Sequence, residues 1–135
     1  MFVYIPRGEK ASALLLIFLA DAIVELVVCI SLAVAGNGGM SVALPSSDVC
    51  GVLALVFALF ALALLVVPAT FRPQLVPALA YGNAAGVPIL LLWLAIWHSG
   101  FSAHGVIMTV ISALLFAGLA VTQFAWLRRT KGQHS

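Results

Sequence analysis

Four stretches of this chain are each long and apolar enough to cross a lipid bilayer, and little lies between them. They cover about residues 11–35, 49–69, 75–97 and 103–127. A spanning helix needs about 20 mostly apolar residues, because the hydrocarbon core is about 30 Å thick and each helical residue rises about 1.5 Å. Inside that core every backbone N–H and C=O must find its partner within the protein, which selects helices over open strands. The chain is therefore expected to be all-α, a polytopic four-transmembrane-helix bundle forming a single domain over residues 1–135. Composition points the same way. Hydrophobic residues make up 64% and charged residues 7%, where a soluble domain carries about 25% charged. No stretch is left over for a soluble catalytic module.

The placement of the cations sets the expected threading. Arg7 and Lys10 precede the first span, Arg72 lies between the second and third, and Arg128, Arg129 and Lys131 follow the fourth. The loops after spans one and three carry no Lys or Arg. The positive-inside rule then puts both termini and the middle loop in the cytoplasm, N-in/C-in. The expected setting is a bacterial cytoplasmic (inner) membrane, multi-pass, with membrane lipid as the surrounding partner. Nucleic acid is not expected, because the basic residues are few and form no folded basic face. Arg7 and Lys10 before an apolar run ending at Ala33-Val34-Ala35 resemble a signal peptide. That run far exceeds the roughly 7–15 residues of a signal core, so an uncleaved first span is expected.

Local signals mark the ends of the spans. Gly36-Asn37-Gly38-Gly39 breaks the first, and Ser46, Ser47 or Asp48 can cap the second. Ala54, Ala58 and Ala61 give span two a ridge of small residues suited to close packing. Pro68, Pro73 and Pro77 stiffen the middle turn. Span three carries Tyr81, Gly82, Asn83, Gly86 and Pro88. Gly82 and Gly86 have the spacing that lets another backbone approach, and Pro88 removes a helical hydrogen bond and predicts a kink. Trp93, Trp97 and Trp126 suit the membrane interfaces. The tail from Thr130 to Ser135 is polar and expected to be loose. Cys29 and Cys50 both fall toward the outer side. They can be read as a disulfide or, preferably, as small buried core residues.

Asp21 and Glu25 lie near the middle of the first span. One such side chain costs about 2.5–3.5 kcal/mol at the bilayer centre, so two on one helix call for a reason. Their spacing places them about 40° apart around the axis and about 6 Å along it, and Cys29 continues the stripe. No span holds a Lys or Arg to neutralise them. They can be held neutral, accept hydrogen bonds from polar groups on spans three and four, or bind a cation or an amine. Asn83 matches them in depth, with Tyr81 one turn nearer the cytoplasm and Thr109 and Ser112 slightly outward. Asp21, Glu25, Asn83 and Tyr81 are thus the expected ligand-binding cluster. In an enzyme, Asp21 and Glu25 would be the catalytic pair. The bland alternative is polar glue, at about 0.6 kcal/mol per interhelical bond.

Other chemistry finds little support. His98 and His104 bracket the second outer turn, but zinc wants three or four ligands and only Asp48 is near, so no metal is expected. Phosphate loops, Cys-x-x-Cys pairs, zinc-helix motifs and nucleophile elbows are absent, and no cofactor is expected. The length, the inward termini and the turn Val67-Pro68-Ala69-Thr70-Phe71-Arg72 resemble the small four-helix bacterial membrane proteins of the DoxX-like kind. That resemblance implies a small accessory inner-membrane protein and assigns no activity.

The expected function is binding of an apolar or amphiphilic small molecule in an intramembrane pocket anchored by the acidic pair. An intramembrane acid–base enzyme, an isomerase or cyclase on a lipid-soluble substrate, is an alternative. Others are an accessory subunit of a larger membrane complex and a proton-coupled transporter, the latter as a homo-oligomer.

Overall fold

The computed structural model describes residues 7–134, with side-chain surroundings over 12–130. The side chains of Arg7, Lys10 and Lys131, on which part of the threading argument rests, lie outside that set. Four helices account for most of the chain: α1 (Arg7–Gly36), α2 (Ser47–Val66), α3 (Arg72–Ile96) and α4 (Ala103–His134). All four contain a segment long and apolar enough to cross a membrane: Ser12–Gly36, Ser47–Val66, Arg72–Ile96 and Ala103–Thr130. The all-helical bundle expected from the sequence is what forms. The tail is the exception. Helix α4 runs on to His134, because nothing after Thr130 and before Ser135 breaks it except Gly132, which a helix tolerates at about 1 kcal/mol.

Helices α1 and α2 pair as one hairpin and α3 and α4 as another. The hairpins meet chiefly through α1 against α4, with a smaller contact between α1 and α3. Helix α2 rests on α1 through Ala54 and Ala61, 7% and 1% exposed, while Val52, Leu55, Leu59 and Phe60 face outward. Small residues on the packed side let the backbones approach, and the apolar remainder suits lipid. Ser46 caps α2, its Oγ accepting from Val49 N–H at 3.3 Å. Helix α3 continues through Pro77 and Pro88 without interruption. Gly86 meets the Phe116 ring, where an added Cβ would sit 3.4 Å away, whereas Gly82 faces open space. Only one glycine of the expected pair is therefore a packing glycine.

The core has two apolar layers. One holds Leu14, Ile17, Phe18, Ala22, Ala61, Leu64 and Val76, toward the termini. The other holds Val24, Val28, Leu32, Ala54, Phe116 and Leu119, toward the α1–α2 loop. Over that second layer the two loops are laced together. Ala43 N–H donates to Gly100 C=O at 3.0 Å and Ser102 N–H to Ser41 C=O at 3.1 Å, and Ser41 N–H donates to Ser102 Oγ at 3.0 Å. Phe101 stacks edge-on against Trp93, with centroids 4.8 Å apart. Ala43 takes a positive φ of 55°, a region most residues avoid. An added Cβ on Gly105 would run into the Ser41 carbonyl oxygen, so the lace closes only over a glycine there. Cys29 and Cys50 are free thiols, half-buried and buried. Cys50 packs beside Gly36, about two turns further along than Cys29.

A buried polar cluster between the core layers

Three helices each contribute one polar side chain to the gap between the apolar layers. Asp21 on α1 is 1% exposed, Asn83 on α3 is 6% and Gln123 on α4 is 0%. Asn83 Nδ2 donates to Asp21 Oδ2 at 2.9 Å and to Gln123 Oε1 at 2.9 Å. Gln123 Nε2 donates to Asp21 Oδ2 at 2.8 Å. The three form a closed triangle in which one carboxyl oxygen receives two amide N–H groups. Hydrogen bonds to a charged group are worth about 1.5–3 kcal/mol each. Two of them offset the cost of about 2.5–3.5 kcal/mol of placing one acid at membrane depth.

Glu25 stands one turn along α1 from Asp21, half-buried and on the same stripe of the helix. Two buried oxygens in this region find no donor: Asp21 Oδ1 and Glu25 Oε2. The cluster is therefore rich in acceptors and short of donors. Both N–H groups of Asn83 are committed, and Gln123 has one N–H beyond that given to Asp21.

Of the residues expected to gather, the structure brings together Asp21, Glu25 and Asn83. It does not bring Tyr81, which is 68% exposed and lies edge-on to Phe124 at 5.1 Å. Two residues along a helix is a rotation of about 200°, so Tyr81 and Asn83 occupy opposite faces of α3. Gln123 takes the place expected for Tyr81. Thr109 and Ser112 are buried but further out, and the Thr109 hydroxyl donates to Gly105 C=O at 2.8 Å. His98 and His104 are exposed, and among the described residues no three His, Cys, Asp or Glu side chains converge to hold a metal.

Two spaces lie near the cluster, one adjoining it at Gln123 and one further out that none of its four residues lines. A groove of about 930 Å³ runs between α1 and α4. Its walls include Leu16, Ile17, Ile23, Val24, Leu114 and Leu119, Gln123 adjoins it, and Trp126 and Arg129 stand at the end nearer the termini. A smaller cavity of about 50 Å³ lies under the α1–α2 loop, between Val28, Ser31, Leu90, Trp93, Thr109 and Ser112. Compared with protein-family models, with curated proteins and with solved structures, the chain finds no match.

Proposed function

We propose that this chain is a small multi-pass protein of the bacterial cytoplasmic membrane that binds an apolar or amphiphilic small molecule along the α1/α4 groove. Its termini lie in the cytoplasm, as the Lys and Arg positions favour, and its layout is that of a DoxX-like accessory protein. The observation that carries the reading is the groove itself. Its volume falls in the usual range for small-molecule sites, about 300–1,000 Å³. It combines apolar walls with two polar side chains, Gln123 and Thr122, and a cation, Arg129; the Thr122 hydroxyl is already donated to Gly118 C=O at 2.8 Å. Such a combination orients an amphiphile: the apolar body lies along Leu16, Ile23 and Leu114, and an anionic or hydrogen-bonding end meets Arg129. Gln123 is fully buried, so a head group reaches it only by displacing a neighbour such as Trp126. The ligand contact is thus to Gln123, with Asp21 and Asn83 behind it holding that amide in place and Glu25 one turn further along α1 from Asp21.

Gly118 lines the groove and an added Cβ there meets nothing within 4 Å. Gly118→Leu should fill the groove while leaving the bundle folded. Small molecules extracted from purified wild-type protein and from this variant would be compared by mass spectrometry. A species retained by the wild type and lost from the variant supports the reading. An identical extract from both, or none from either, sinks it.

A second reading, an intramembrane acid–base enzyme, draws on one feature: Asp21 Oδ1 and Glu25 Oε2 are buried without donors. Two adjacent carboxyls with unequal surroundings can divide into acid and base. Turnover of the extracted molecule, abolished by Glu25→Gln, would favour it over simple binding.

A further inference from the structure

We propose that the occupant of the α1/α4 groove is an anionic phospholipid from the leaflet on the side of the termini, with its phosphate on Arg129 and one acyl chain along the groove. This assignment rests on the groove being a binding site and names the chemical class it takes. The groove has the length of one leaflet. Along α1 it runs from Ala13 to Val24 and along α4 from Arg129 to Leu114, about 16 Å and about 22 Å of helix. Val24 is the midpoint of the apolar segment Ser12–Gly36. The groove therefore begins at one face of the membrane and stops near its middle. One leaflet of hydrocarbon is about 15 Å deep, so a lipid chain matches the groove and a molecule spanning the bilayer does not.

The walls admit such a chain from the side. Leu16 and Ile23 on α1 and Leu114 and Val121 on α4 line the groove and are exposed. Each helix places a small residue between its two large ones, Ala20 and Gly118, and an added Cβ on Gly118 meets nothing within 4 Å. The trough is thus open toward the hydrocarbon, and an acyl chain enters it without crossing water. Charge then selects the head group. Arg129 lines the end nearest the termini, and a guanidinium binds phosphate through paired N–H groups. Trp126 also lines the groove, about 4.5 Å deeper along α4. The head-group layer is about 5–7 Å thick, so Trp126 falls where the phosphate gives way to the ester groups, a depth that indoles favour. Among the described residues no carboxylate lines the groove to oppose an anion. Arg128 borders a different space, of about 460 Å³, between α3 and α4. Adjacent arginines therefore face separate grooves, and only Arg129 belongs to this one.

Trp126 serves as the reporter. In the full chain carrying Trp93→Phe and Trp97→Phe, its fluorescence is followed in phosphatidylcholine liposomes containing lipids brominated on their acyl chains, which quench an indole on contact. Brominated phosphatidylglycerol should quench about fivefold more per mole than brominated phosphatidylcholine, the preference that one basic residue near an anionic surface supplies. Arg129→Gln should abolish that preference, and Arg128→Gln should keep it. Gly118→Leu should abolish it too, because the chain loses its place. All three positions are exposed, and circular dichroism checks each fold. Equal quenching by the two lipids before any of these changes, or a preference that survives Arg129→Gln or Gly118→Leu, would overturn the proposal. So would equal losses from the two arginine variants, which would assign the preference to diffuse surface charge. Mass spectrometry of the extracts keeps this outcome apart from that of the groove itself. A species other than a phospholipid lost from Gly118→Leu, with no phosphatidylglycerol preference, removes the lipid and leaves the groove as a binding site. No species lost and no preference removes both.

Discussion

Gln123 on α4 donates to Asp21 on α1 at 2.8 Å, across 102 positions of sequence. With Asn83 bonded to both, this contact ties α1, α3 and α4 together at one depth, between two apolar layers that could otherwise slide. Gln123→Leu should therefore destabilise the bundle. It leaves Asp21 with one amide donor in place of two and strands one N–H of Asn83, a loss of about 1–3 kcal/mol. Reversible unfolding in mixed micelles would measure it. A variant as stable as the wild type would show that the triangle contributes nothing.

Tyr81→Phe should be silent. The ring contact with Phe124 is kept, and the hydroxyl of this exposed side chain belongs to no bond with the cluster. The expected change is within about 0.5 kcal/mol, as for surface substitutions in general. A larger loss of stability in the same micelle assay, or any loss of small-molecule retention, would bring Tyr81 back into the site.

Much of this was legible from residue types alone. Four apolar runs fixed the helices, and Asp21, Glu25 and Asn83 stood out as polar groups at matching depth. Gln123 does not stand out from the sequence, because a fourth span ending near residue 127 puts it close to the membrane edge. The apolar helical segment runs to Thr130. Counted from there, Gln123 lies about as deep as Asp21 does from Ser12, so span length was the signal that could have found it. Tyr81 departs from its expected place for another reason: depth alone does not position a side chain, and two helical residues separate faces. The lace between the loops had no counterpart in the sequence, since pairing between Ser41 and Ser102 depends on how the hairpins dock.

Two glycines should respond in opposite ways to alanine. Gly82 faces open space in the middle of α3, so Gly82→Ala should stabilise by about 0.5–1 kcal/mol through reduced backbone entropy of the unfolded chain. Gly105→Ala drives a methyl group into the Ser41 carbonyl and should cost about 1–3 kcal/mol. Micelle unfolding reads both, and protease cleavage near Met40 should rise only in the second. Equal responses would contradict the loop lace.

The threading makes a separate prediction. A reporter active only in the cytoplasm should work when fused after Lys131 and fail when inserted at Gly38, because the α1–α2 and α3–α4 loops carry no Lys or Arg. Activity at Gly38 would invert the assignment.

The acidic pair should separate charge from hydrogen bonding. In Asp21→Asn the side-chain carbonyl can still accept from Asn83 and Gln123, while the new N–H₂ faces Glu25. In Glu25→Gln the new amide adds N–H donors to the stripe that Asp21 shares, where buried oxygens lack them. Both isosteres relieve the shortage of donors left at Asp21 Oδ1 and Glu25 Oε2, so both should fold with stability equal to or above that of the wild type. Asp21→Ala differs. It removes the acceptor from two buried N–H donors, each costing about 1–3 kcal/mol when stranded, and opens a gap among α1, α3 and α4. The expected order of micelle stability is Glu25→Gln and Asp21→Asn at or above wild type, and Asp21→Ala well below. If Asp21→Asn falls as far as Asp21→Ala, the negative charge itself holds the helices together and the hydrogen-bond account of the cluster fails.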